Sequence, residues 1–299
     1  MMITLVLSSF LSRDNIMRGM IYLIIATILA AIGWGASKMV VMTIPGDIFI
    51  GTRFLLASFV LAPFCFKQFR TLTGKQILAL SGVGLVLSFA LQVWVYAVSI
   101  TTSLAEGAFI MSLAMIIAPI ISWILFRNKP NKAFWIALPI SILGMILLTL
   151  GNGWKLEASQ LGFMLSALLL SMHFVLNKRI IGAITPLLSI CVQLFVVGLS
   201  GCLYASLNSH PSFEITQHAV FWFLISTIVA TAIRYLAQTL GQFSVNIETA
   251  SLIMILEPVW TLVLSISVLH EVVAPQKLIG GAVIFLSLFV YIKLSRRLK

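Results

Sequence analysis

Charge is what this sequence has least of. Only 9% of its 299 residues are Asp, Glu, Lys or Arg, where a soluble domain carries roughly 25%. A water-facing surface cannot be built at that density, so a soluble cytosolic enzyme is excluded. Cysteine is scarce too. Cys65, Cys191 and Cys202 form neither a CxxC pair nor an even set, which excludes a disulfide framework and a zinc site. No HExxH, P-loop or GxGxxG is present, so metal hydrolysis, ATP-driven transport by this chain and a dinucleotide cofactor all lack support, and no metal or cofactor is expected. Acidic residues number eight against nineteen basic ones, a net charge of +11. Nucleic-acid binding would need those bases clustered with exposed aromatics. They fall instead in small groups between apolar runs, as loops at an anionic membrane leaflet do.

What is present is apolar length. Hydrophobic residues make up 61% of the chain, and the mean hydropathy is +1.12. A membrane-crossing helix needs about 20 apolar residues. Ten such runs can be read, near 19–40, 47–66, 76–98, 104–126, 133–151, 160–177, 186–207, 219–240, 249–269 and 277–295. They leave only short connections. The expected fold is therefore all-α, a polytopic membrane protein of ten transmembrane helices. With the N-terminus inside, fourteen of the basic residues fall in cytoplasmic segments, and Lys155 and Lys277 alone fall outside. Lys38, Arg53 and Arg234 lie within spans. This asymmetry predicts that both termini are cytoplasmic. Met1–Ser12 is apolar but short, and residues 1–17 are set apart as an N-terminal cytoplasmic extension.

The spans also read as a duplication. Residues 18–152 and 158–299 each hold five, with Pro119 and Pro258 in the fourth and Gly144 or Gly280-Gly281 in the fifth. FIMSL (109–113) recurs loosely as LIMIL (252–256). Because five is odd, the second block enters the membrane from the opposite side. The expectation is two inverted five-helix repeats, an arrangement that places a site near the midplane where they meet.

Ionisable residues inside spans are costly and so are candidate functional groups. Arg53, Arg234 and His173 are candidates for substrate binding. Lys38, Glu106 and Glu257, the last directly before Pro258, are candidates for coupling or gating. The blander alternatives are concrete. Lys38 can snorkel to the interface, Arg53 can cap carbonyls, Glu106 can face solvent, and His173 can bond a neighbour. Arg234 and Glu257 lie at comparable depth on adjacent spans, which predicts a buried ion pair. Gln238 and Gln242 can supply hydrogen bonds to an amphipathic ligand, and Trp34, Trp94, Tyr96, Phe109 and Tyr235 its aromatic walls. Trp34 sits between Gly33 and Gly35, which permit close backbone approach. Six spans (one, three, four, six, eight and nine) are expected to line the hollow.

Local strings in order and spacing carry a resemblance. They are IGWGASK (32–38), GTRFLLAS (51–58), TTSLAEGAFIMSL (101–113), ALLLSMHFVLNKR (167–179), RYLAQTLGQ (234–242), ASLIMILEPV (250–259), VLHEVV (268–273) and QKLIGGAVIFLSLFVY (276–291). Together they resemble the EamA branch of the drug/metabolite transporter superfamily over nearly the whole chain from Arg18. The chain departs from that family at RNKPNK (127–132), where a Gly-Glu-Arg-like turn is common, and at Arg234, where a small apolar residue is usual.

The resemblance implies a secondary active transporter of the inner membrane. It would export amino acids, related small metabolites or drugs by alternating access, with protons as one candidate coupling ion. Its partners would be a small-molecule substrate and the lipid bilayer, with no nucleic acid, and its state a monomer or weak homodimer. Import or exchange of a host or cofactor metabolite, such as S-adenosylmethionine or a nucleotide-like compound, remains open. So does flipping of a lipid-linked intermediate. A membrane protease is disfavoured, although GLSG (198–201) has the right letters, because His270 falls toward the opposite depth from Ser200.

Overall fold

The computed structural model describes residues 2–101, 104–149, 158–180, 184–210, 212–268 and 275–297. The side chains of Glu106 and Phe109 lie outside what is described, as do His270, Glu271 and Lys155. Among the described residues every regular element is a helix. In chain order they are α1 (Met2–Val41), α2 (Gly46–Phe69), α3 (Gly74–Ile100), α4 (Leu104–Phe126), α5 (Lys132–Thr149), α6 (Ala158–Ile180) and α7 (Pro186–Leu207). The eighth span is composite: α8 (Gln217–Leu224), a π-helical segment (Ile225–Ile233) and α9 (Arg234–Ser244) run on without interruption. The ninth is α10 (Ile247–Met254) and α11 (Glu257–Val268), and the tenth is α12 (Pro275–Arg297).

Eight spans are long and apolar enough to cross a membrane by themselves, and the shorter apolar helices Ile110–Phe126 and Lys132–Gly144 complete ten. The N-terminal extension is helical and continuous with the first span, whose apolar stretch begins at Asn15.

These segments are helical because lipid offers no partner for a backbone amide, and a helix satisfies its own. Their ends are marked by local chemistry. Thr73 and Gln76 form a reciprocal capping box at the start of α3. Asn246 accepts from the Thr249 amide at 3.1 Å to open α10, and Pro186 opens α7 with its fixed φ.

The packing repeats with a two-fold logic. α3 lies against α6 as the eighth span lies against α1; α4 lies against α6 as the ninth lies against α1. α2 pairs with α7 and α5 with α12, each helix meeting its own counterpart. The counterparts run in opposite directions. Asn208 Nδ2, just past the end of α7, donates to Asp47 Oδ2 at the start of α2 (2.9 Å). At the other face Thr185 Oγ1, just before α7, donates to Gln68 Oε1 near the end of α2 (2.5 Å). The molecule is thus two inverted five-helix repeats.

Small residues set how closely the repeats approach. A Cβ on Gly201 would lie 2.8 Å from the Cα of Gly51, and one on Gly198 would lie 2.3 Å from the Leu55 amide nitrogen. GLSG is therefore the contact surface of α7 against α2. Ser200 Oγ donates to Ser88 Oγ (2.7 Å) and to its own helix's carbonyls.

Candidate functional site

A hollow of about 70 Å³ lies where the repeats meet. Its lining comes from spans one, three, four, six, eight and nine, and also from span two, which contributes Arg53 and Phe54. A ligand pocket usually needs about 300 Å³ or more, so in this conformation the hollow is too narrow for one. Trp34, Trp94 and Phe163 form an aromatic cluster at one side. Trp34 meets Trp94 edge-on at 5.2 Å between centroids and Phe163 at 6.0 Å. The Met111, Met115 and Met254 side chains soften the wall.

Arg53 reaches in from α2 and is 5% exposed. Its Nε donates to Thr231 Oγ1 (2.5 Å), Nη1 to Ser37 Oγ (2.8 Å) and Nη2 to the Ala230 carbonyl (3.3 Å). The guanidinium also lies 5.2 Å from the Phe49 ring centre and 5.5 Å from that of Phe54. Among the described residues no carboxylate comes within ion-pair distance of it. The π segment prepares this seat. Its wider turn lets Thr231 Oγ1 donate to the Ser226 carbonyl five residues back (2.7 Å), and its irregular ladder presents the Ala230 carbonyl to Arg53. Gly33 of α1 admits the segment, since a Cβ there would lie 2.9 Å from that of Ala230.

The second charged group is a pair. Arg234 Nη2 lies 3.8 Å from Glu257 Oε2, and Trp34 Nε1 donates to Glu257 Oε1 at 2.7 Å. The Arg234 guanidinium stacks 4.3 Å from the ring centre of its neighbour Tyr235. Glu257 can point here because the ninth span breaks at Ile255–Leu256. α11 begins at Glu257 with Pro258 second, a position where proline's missing N–H costs no helix bond.

The sequence-based candidates thus divide. Trp34, Arg53, Trp94, Arg234, Tyr235 and Glu257 converge on the hollow. Tyr96 does not. It is 61% exposed and faces a separate groove of about 600 Å³ between α2, α3 and α7, because it stands on the face of α3 turned away from α1.

His173, Gln238 and Gln242 also lie outside the lining, deeper toward the end of α6. There His173 Nε2 bonds Gln193 Oε1 (2.8 Å), Gln193 Nε2 donates to Asn177 Oδ1 (2.9 Å), and Asn177 Nδ2 donates to Gln242 Oε1 (2.6 Å). This is a buried polar cluster tying α6, α7 and α9 together. Gln238 Oε1 and Arg234 Nε are buried without a hydrogen-bond partner among the described residues. Lys38 Nζ donates to the Val98 and Thr101 carbonyls at 3.1 and 3.2 Å, so it holds a helix end. Ser37, Phe54 and Phe163 went unread in the sequence, since serine and phenylalanine are ordinary in apolar spans.

An inverted pair of five-helix repeats around a hollow with two arginines and a carboxylate is the layout of a known transporter family. The model of the EamA-like transporter family matches residues 17–150 and 158–293. The chain belongs to that family. One relative, described as an uncharacterized transporter of Archaeoglobus fulgidus, is 23% identical over 288 residues, covering 94% of this chain and 90% of that one. A solved crystal structure shares the fold at a TM-score of 0.76 and 14% identity, covering 96% of this chain and 99% of the other. This EamA-family chain is therefore a multi-pass membrane transporter, and its two family matches coincide with its two sets of five helices.

Proposed function

We propose that the protein is a secondary carrier that moves a small amphipathic metabolite bearing one anionic group. It would work by alternating access between the repeats 18–152 and 158–299, with residues 1–17 as an extension. The observation that carries this reading is the charge of the hollow. Glu257 answers Arg234, while Arg53 has hydroxyl, carbonyl and aromatic neighbours but, among the described residues, no carboxylate. An unpaired buried cation is costly in a low-dielectric interior, and a ligand carboxylate or phosphate would relieve that cost. The aromatic cluster of Trp34, Trp94 and Phe163 suits an apolar or planar remainder. The loop charges favour cytoplasmic termini in an inner membrane, and the family's leaning favours export.

The test is a thermal-shift screen of purified protein against amino acids, nucleotides, cofactors and cationic dyes. A true ligand stabilises by mass action, on the order of 3 kcal/mol at a hundredfold excess over Kd. Compounds with a carboxylate or phosphate should shift the melting temperature, and Arg53→Gln should lose that shift while remaining monodisperse. In proteoliposomes the same variant should lose uptake of whichever compound the screen finds. Stabilisation by cationic dyes that survives Arg53→Gln would overturn the proposal.

A further inference from the structure

Two lysines occupy equivalent places in the two repeats. The same separation in sequence relates Lys38 to Lys178, Ser37 to Asn177 and Arg53 to Gln193. The bonds repeat as well: Arg53 donates to Ser37 as Gln193 donates to Asn177. Lys38, near the end of α1, donates to the Val98 and Thr101 carbonyls at the end of α3 (3.1 and 3.2 Å). Lys178, near the end of α6, donates to the carbonyls of Gln242, Phe243 (3.4 Å) and Val245 (2.7 Å) at the end of α9. Each lysine therefore caps the unsatisfied carbonyls that close the third span of its own repeat, a favourable seat for a cation at a helix C-terminus.

The two helices that each lysine joins barely pack on one another. α1 rests on the eighth span and α3 rests on α6, so α1 and α3 face each other across the hollow; α6 and α9 do likewise, with the Asn177–Gln242 bond beside Lys178. The lysines thus tie opposite walls together at opposite ends, because α1 and α6 run in opposite directions. Both ties are made at once here, and the hollow between them is about 70 Å³.

We infer that Lys38 and Lys178 are paired latches. Release of one opens the hollow to one side of the membrane, and release of the other opens it to the opposite side. This rests on the alternating-access reading above and assigns its two gates. Each latch is a set of charge-assisted hydrogen bonds to carbonyls, which competing water can replace.

The experiment needs no knowledge of the substrate. Ser112 lines the hollow from α4 and is 6% exposed. Ser112→Cys, placed in a background with Cys65, Cys191 and Cys202 replaced by Ala, reports access by reaction with a membrane-impermeant maleimide. The reagent is applied to sealed right-side-out and inverted vesicles. Lys38→Gln should raise the labelling rate from one side and Lys178→Gln from the other, each by on the order of tenfold. Lys75→Gln, at the exposed start of α3, should change neither. Retained monodispersity in detergent separates opening from unfolding, and Lys38→Arg and Lys178→Arg should return labelling toward the parent rate. Increased labelling from the same side in both variants, or no increase in either, would overturn the latches. Loss of anion-dependent stabilisation would instead strike the carrier reading and leave the sidedness result unaffected.

Discussion

Trp34 shows what a single residue contributes to the site. Its indole donates to Glu257 Oε1 at 2.7 Å while its ring packs edge-on against Trp94. Trp34→Phe keeps an aromatic wall but removes the donor, leaving the Glu257 carboxylate with the Arg234 guanidinium 3.8 Å away. Losing a hydrogen bond to a buried carboxylate costs about 1–3 kcal/mol. The variant should melt earlier than the parent in detergent, and Trp34→Phe should cost less in a Glu257→Gln background, where only a bond to a neutral amide oxygen is lost. Trp34 could be singled out in the sequence because Gly33 and Gly35 flank it, and Arg53, Arg234 and Glu257 because charged groups are expensive in lipid. The inner polar cluster of His173, Gln193, Asn177 and Gln242 obeys the same rule. Expense alone therefore cannot separate a ligand-facing group from one that bonds helix to helix.

Helix elements depend on where glycine is needed. At Gly198 a methyl would meet the Leu55 backbone at 2.3 Å, whereas at Gly82 on α3 nothing lies within 4 Å. Gly198→Ala should push α2 and α7 apart and destabilise by about 1–3 kcal/mol or more, as overpacking does. Gly82→Ala should be neutral or stabilising by up to about 1 kcal/mol through helix propensity. Thermal unfolding of the two variants in one detergent gives the comparison. Span positions were readable because a lipid-crossing helix needs a long apolar run. The π segment at Ile225–Ile233 was not. Its residues, ISTIVATAI, suit an ordinary helix equally well, and the wide turn is visible only in the fold, where Thr231 Oγ1 donates to the Ser226 carbonyl and the Ala230 carbonyl faces Arg53.

For the whole molecule the inversion is the property that matters. Gln68 meets Thr185 at one face, and Asp47 meets Asn208 at the other. Single cysteines at Gln68 and Asn208 should therefore be labelled by an impermeant reagent from opposite sides, with Gln68 on the cytoplasmic side if the loop charges set the orientation. Labelling of both from one side would contradict the inverted arrangement. The sequence by itself determined that the chain lives in lipid, crosses it ten times and repeats itself after five. The first two follow from apolar run length and the third from recurring proline, glycine and FIMSL-like placements, all of them properties of the chain read in order. Only the tertiary structure decided which costly side chains share a hollow. Arg53 joins it where α2 packs on the π segment, Tyr96 turns away from it, and His173 is withdrawn into a helix-to-helix network. Those outcomes depend on helix rotation and on close approaches at Gly33 and Gly198, and a hydrophobic run of this kind looks the same from every side until its neighbours are in place.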